Sequence, residues 1–205
     1  GLKAELIPCG YDEKIYKKLP KVEKHSDVLL AVGRTFFQKN FDFTFRSWKA
    51  MGEGRPKLWL FGSEPDMKSL DTKITYIYKP EDAGVNKLYN QSTVFVQTSR
   101  HEGFCLPLLE AMAAGTPVVC TDNHGNRDFC IDEKTALLVD HDDTEALTKA
   151  LSRVFGDVKL REKLIKNGLK EAEKYTWPVI TKRLSKYYSN IAEQSSIKKK
   201  VIQKY

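Results

Sequence analysis

Residues 93–121 read TVFVQTSRHEGFCLPLLEAMAAGTPVVCT. Two short apolar runs, Thr93–Val96 and Pro117–Cys120, flank a segment in which Leu106, Leu109 and Met112 recur at helical spacing. Pro107 suits the first turn of that helix, where a missing N–H costs nothing. Gly115, next to Pro117, marks its end. A strand, a polar loop, a helix and a second strand form a βαβ unit, which predicts two parallel strands joined by a right-handed crossover.

The same grammar extends in both directions. Apolar runs rich in β-branched and aromatic residues recur at Val28–Val32, Lys57–Phe61, Ile74–Tyr78 and Ala136–Val139. They are nearly continuous in apolarity rather than alternating, as strands buried on both faces of a parallel sheet must be. Phe41, Phe45, Trp48 and Met51 share one helical face, as do Leu147, Leu151 and Val154 behind a cap at Asp143 or Thr144. From Asp143 the pattern is helical only: Asp143–Phe155, Val158–Tyr175, then Pro178 to about the end. Strands alternating with helices predict an α/β fold, a Rossmann-like doubly wound parallel sheet of about six strands with helices on both faces and a C-terminal helical arm. With no repeat and no Gly/Ser linker, residues 1–190 read as one domain and 191–205 as a basic helical tail.

Composition narrows the function classes. The chain has 205 residues, 41% hydrophobic and 30% charged, the profile of an ordinary globular domain. No apolar run approaches the roughly 20 residues of a membrane span, and residues 1–5 do not begin a signal peptide. The four cysteines (Cys9, Cys105, Cys120, Cys130) form no CxxC pair and read as free thiols in a reducing compartment, so a cytoplasmic location is expected. His25, His101, His124 and His141 share no ligand spacing, and no metal site is expected. His101 and His124 read as polar loop residues at a site rim. Asp140-His141-Asp142 spells DxD, but it follows a strand and precedes a helix, where capping accounts for acidic residues. Net charge is +7, yet residues 171–205 hold eight Lys+Arg against three Asp+Glu, leaving only +2 on the rest. Such a balance is poor evidence for nucleic acid. The basic segment Ile197–Tyr205 reads as a solvated helix end, with peripheral membrane contact as the alternative.

A doubly wound sheet binds ligands beyond the carboxyl ends of its strands. The dinucleotide and P-loop glycine fingerprints are absent. Two strand ends remain. After Val28–Val32 comes Gly33-Arg34-Thr35-Phe36-Phe37-Gln38-Lys39, where a turn glycine and two cations at a helix start could neutralise a diphosphate. Spacing alone reads more readily as a solvated basic loop. After Thr93–Val96 comes the loop with Glu102, then free amides around Leu106 at the helix start, then Glu110. Glu110 could accept from sugar hydroxyls or simply stabilise its helix N-terminus.

The pair Glu102 and Glu110 forms E-x7-E within EGFCLPLLEAMAAGTPVVCTD. This stretch closely resembles the donor-binding, C-terminal domain of the retaining GT-B glycosyltransferases of the large bacterial group 1 family. Further likenesses occur in the right order: Ile7-Pro8-Cys9-Gly10-Tyr11-Asp12 for "IPNGVD", Gly33-Arg34 to Lys39-Asn40 for "GR…KG", Leu58–Ser63 for the next strand and its glycine, and Tyr175-Thr176-Trp177 for "F-S-W".

The resemblance implies a donor half that binds a UDP-, GDP- or dTDP-sugar without a metal or other cofactor. Arg34 and Lys39, after Gly33, would hold the diphosphate and stabilise the leaving group. Glu102 would bind sugar hydroxyls, and amides of Gly103, Phe104, Cys105 and Leu106 would meet the sugar or β-phosphate. Glu110 would bind the ribose, and the base would pack near Tyr78 and Lys79. The acceptor (a glycan, lipid-linked sugar or protein, in polysaccharide or glycoprotein synthesis) would sit on an N-terminal domain that this sequence lacks, so transfer by this chain alone is not expected. Two departures stand out. Cys105 replaces the usual second glycine of "EGFG", adding a side chain where the backbone approaches the ligand, and Asn123–Asp128 replaces a "GGxxE" segment. A nucleotide-sugar epimerase and a non-enzymatic basic binding module are the competing readings.

Overall fold

The computed structural model describes residues 4–64, 67 and 71–202, with side chains described through residue 193. Six parallel strands form one sheet: β1 (Val28–Val32), β2 (Lys57–Gly62), β3 (Ile74–Tyr78), β4 (Val94–Gln97), β5 (Val118–Thr121) and β6 (Leu137–Val139). Their order is β3-β2-β1-β4-β5-β6, so the winding reverses between β1 and β4. Every strand lies within a residue or so of the apolar run that predicted it.

The continuous apolarity of the runs has a direct cause. Leu30, Phe95, Val118 and Cys120 join one core, while Leu29, Ala31, Val94, Val96 and Val119 join the core on the opposite face. Successive side chains point to opposite sides of a strand, and here both sides are covered. Each such burial stabilises by about 1.5–3 kcal/mol before entropy is charged against it.

The helices are α1 (Phe41–Ala50), α2 (Asp82–Gln91), α3 (Leu106–Ala113), α4 (Thr144–Gly156), α5 (Val158–Ala172) and α6 (Trp177–Ile202). Side chains of α2 and α3 pack into the first core, those of α1 and α4 into the second. Asp143 caps α4 by accepting from the Ala146 amide at 2.8 Å. The helix expected over Val158–Tyr175 ends at Ala172 and tightens into a 3-10 turn at Glu173–Tyr175. The last helix starts at Trp177 and runs through residue 190 unbroken. The basic character of 197–205 rests on side chains outside the described residues. Among the described residues, no helix is long and apolar enough to cross a membrane.

Helix α2 is the element that periodicity did not single out. Its apolar side chains Val85, Leu88 and Tyr89 are buried, but so are Asn86 and Asn90. The two amides hold the N-terminal segment: Asn86 Oδ1 accepts from the Lys17 amide (3.2 Å) and Asn90 Oδ1 from the Leu19 amide (2.7 Å). Farther along, Lys24 Nζ donates to the Ser92 carbonyl at 2.9 Å and to the Thr116 hydroxyl at 3.2 Å, closing the ends of α2 and α3. At the other end of the segment, Tyr11 pairs in parallel with Thr176, just before α6.

Gly62, at the carboxyl end of β2, lets the first turn after β1 settle on it. A Cβ there would lie 2.4 Å from the Gly33 carbonyl oxygen, which is backbone and cannot swing away. Gly62→Ala should therefore destabilise the chain by about 2–4 kcal/mol. Gly54→Ala, whose Cβ meets nothing within 4 Å, should change stability by about 0.5 kcal/mol or less. Urea denaturation midpoints of the two variants check the contrast.

Candidate active site at the strand switch point

Two loops leave the carboxyl ends of the adjacent strands β1 and β4 and meet. Lys39 Nζ donates to Glu102 Oε1 at 2.6 Å, and Gln97 Nε2 donates to the same oxygen at 3.0 Å. The backbone joins too, with the Arg100 amide donating to the Gln38 carbonyl at 2.7 Å. The Arg100 guanidinium pairs with Asp142 at 2.7 Å and stacks on Phe37 at 4.7 Å. Sequence reasoning singled out Lys39 and Glu102 separately, and the structure brings them into contact. Arg34 is exposed and has no ion pair among the described residues. Its charge acts on the Tyr76 hydroxyl, and among the described residues no contact joins it to the Lys39–Glu102 pair.

The loop after β5 supplies the third wall. The Glu102 amide donates to the Asn123 carbonyl at 3.0 Å, making a parallel bridge with His124. Gly125 permits this approach: a Cβ there would lie 2.6 Å from the Glu102 oxygen and 2.7 Å from the Phe104 nitrogen. Asn126 holds the loop from within, donating to the Thr121 carbonyl at 2.9 Å. The rings of His101 and His124 are 5.4 Å apart at this rim. Gly103, Phe104, His124 and Asp128 face the segment Leu6–Cys9 across a cleft of about 480 Å³.

At the start of α3, no acceptor among the described residues takes the amide hydrogens of Gly103, Phe104, Cys105 or Leu106. That is an anion-binding arrangement at a helix N-terminus. Cys105 caps the helix in the left-handed region, at φ 69°, which explains why glycine suits the position. Its side chain does not enter the ligand approach as expected. It turns inward, 5% exposed, and its Sγ accepts from Asn123 Nδ2 at 3.3 Å. The side chain joins the core cluster rather than the cleft lining. Burial, then the nearby Glu102 charge, pushes this thiol well above its ordinary range, so it is no nucleophile. Cys120 and Cys130 are buried free thiols as well, and Cys9 is exposed.

Glu110 lies just past the first turn of α3, with one oxygen accepting from the Tyr89 hydroxyl at 3.2 Å. Burial pushes its carboxyl up to about 7; the Tyr89 hydrogen bond opposes that shift and the Asp82 charge adds to it. Tyr78 and Lys79 sit at the far edge, after β3. Tyr78 is exposed, with the Lys79 ammonium 5.2 Å from its ring centre. Of the DxD acids, Asp142 is engaged by Arg100, and the neighbouring Asp143 is the α4 cap. Among the described residues, no three His, Cys, Asp or Glu side chains could hold a metal together.

Two side chains that organise the site, Gln97 and Tyr89, escaped sequence reasoning, and Asn123 entered it only as part of a departure from the family pattern. Gln97 alone had a visible signal, as a buried polar residue closing an otherwise apolar strand.

A family model described as "Glycosyl transferases group 1" matches residues 12–171. An uncharacterized glycosyltransferase of Methanocaldococcus jannaschii is 28% identical over 194 residues, covering 89% of this chain and 50% of that protein. The sucrose-phosphate synthase of Thermosynechococcus elongatus superposes with a TM-score of 0.82 at 25% identity, covering 93% of this chain and 53% of that one. Anabaena HepE, solved in complex with UDP-glucose, superposes at 0.76 with 15% identity, covering 88% of this chain and 56% of that one. The chain thus spans about half the length of the curated relative and of these structures.

Two expectations follow from the geometry. Cys105→Ala keeps the left-handed strain and removes the Asn123 partner, so it should destabilise by about 1–2 kcal/mol. Cys105→Gly relieves the strain and should cost less. Reversing that order in chemical denaturation would contradict the backbone argument. For Glu110, the folded carboxyl titrates near 7 against an ordinary 4.5, so the unfolded state ionises first as pH rises. Its contribution is fully present below about 4.5, is lost as pH climbs toward 7, and stays flat above. Glu110→Gln should therefore gain stability relative to wild type across that window, by on the order of 2–3 kcal/mol.

Proposed function

The chain belongs to the glycosyl transferases group 1 family, and on that premise we propose that it is the donor half of a retaining hexosyltransferase that uses a nucleoside-diphosphate sugar. The observation that carries the reading is the meeting of three loops at the switch point. It brings a cation (Lys39) onto a carboxylate (Glu102) beside a row of free helix-start amides, with Gly103 and Phe104 lining the adjoining cleft.

In this reading Arg34 and Lys39 bind the diphosphate. As the bond between the anomeric carbon and the β-phosphate oxygen breaks, negative charge grows on that oxygen. Fixed cations and helix-start amides stabilise the growing charge without reorganising. The amides of Gly103 to Leu106 face the β-phosphate and sugar, and Glu102 accepts from sugar hydroxyls. Gln97 holds Glu102 from behind. Glu110 accepts from the ribose, and the base lies toward Tyr78 and Lys79. The acceptor oxygen forms the new glycosidic bond and passes its proton to the departing β-phosphate oxygen, with the anomeric configuration retained. Acceptor binding is assigned to a further domain, in keeping with the span of about half the relatives' length. UDP-glucose is a reasonable first donor to try, because a structure of the same fold holds it.

Calorimetry against UDP, GDP, dTDP and their hexose conjugates tests the proposal. At least one should bind, equally well with EDTA present. Arg34→Ala and Lys39→Ala should each weaken binding by about tenfold or more. Failure of the whole panel to bind, or indifference to both substitutions, would sink the reading.

A further inference from the structure

Beneath Glu110 lies a side chain that nothing so far explains. Tyr89 of α2 is fully buried, yet it is not simply packing. Its ring is clamped edge-on between Phe95, 5.1 Å away, and Phe61, 5.9 Å away. Its own carbonyl accepts the Thr116 hydroxyl at 2.5 Å. From that rigid seat its hydroxyl donates to Glu110 Oε2 at 3.2 Å. Among the described residues, Oε1 of Glu110 receives no protein donor. One oxygen is anchored inward and the other is left to a ligand.

We propose that Tyr89 is a positioning residue for donor binding, its hydroxyl fixing one oxygen of Glu110 so that the other is presented to the ribose hydroxyls. This rests on the assignment of Glu110 made above. A glutamate has three side-chain torsions and loses much rotamer freedom when it must meet a ligand in one geometry. A fixed donor beneath it settles that cost on folding instead of on binding.

The hydroxyl also governs charge. A hydrogen bond to a carboxylate favours its ionised form, and here it opposes both burial and the Asp82 carboxylate, which is on α2 with Tyr89. The other titratable groups facing this cluster work through the tyrosines. Tyr16, from the segment before β1, feels the charges of Glu110, Asp82 and Asp12, and the Cys105 thiol of the loop after β4 acts on Tyr89. Without the hydroxyl, Glu110 would ionise only at higher pH.

The test is calorimetry of wild type and Tyr89→Phe with UDP, GDP and ADP, and with the 2′,3′-dideoxy counterpart of whichever binds best. Tyr89→Phe should weaken the ribonucleotide about fivefold at pH 7 and leave the dideoxy nucleotide within about twofold. The pH midpoint of ribonucleotide binding should also move upward. Glu110→Gln, which keeps a partner for Tyr89, should lose the same ribose-dependent share and show no such midpoint. This second variant serves if Tyr89→Phe melts early. Equal weakening of both nucleotides, or none, overturns the inference while leaving the site standing. If no nucleotide binds the wild type, the functional reading falls and the inference falls with it.

Discussion

The pairing of β1 with β4, Leu29 against Val94, Leu30 against Phe95 and Ala31 against Val96, sets the rest of the molecule in place. These two strands run side by side, but their following connections leave in opposite directions around the sheet. Among the described strands, the crevice between the departing loops is the only place where neighbouring strand ends are not bridged by a shared crossover. Lys39 and Glu102 meet there because the pairing puts their loops within reach, though 63 residues separate them in sequence. A slip of one residue would exchange the two faces of β1 and carry both loops out of line.

The strands were legible because a parallel sheet buried on both sides demands unbroken apolar runs, and few other structures do. Helix α3 was legible because Pro107 and Gly115 punctuate it. Helix α2 was not, since two of its buried positions are Asn86 and Asn90. Buried amides that satisfy a neighbouring segment carry no hydropathy signal, and polar burial erases amphipathic contrast.

The site was readable in its charges and less so in their supports. Arg34, Lys39, Glu102 and Glu110 stand out by type and position, because charged groups at strand ends invite a ligand. Gln97, Asn123 and Tyr89 act through contacts between distant parts of the chain, and no spacing rule reports such contacts. The Cys105 side chain shows the limit most clearly. Its composition suggested a group crowding the cleft, whereas the side chain joins the core. The charge of the chain follows a similar course: the net excess is mostly tail, and the nearly balanced remainder holds Lys39, the cation that meets Glu102 at the crevice.

The close approach at Gly125 has a wider consequence. Because the walls after β4 and β5 are joined through main-chain atoms, with Asn123 and Asn126 pinning them from within, they behave as one frame. His101, His124 and Asp128 project from that frame without holding it together. If this cleft holds the donor sugar as proposed, its selectivity can be retuned at these positions with little disturbance to the fold, much as a lock is rekeyed by changing pins and keeping the barrel.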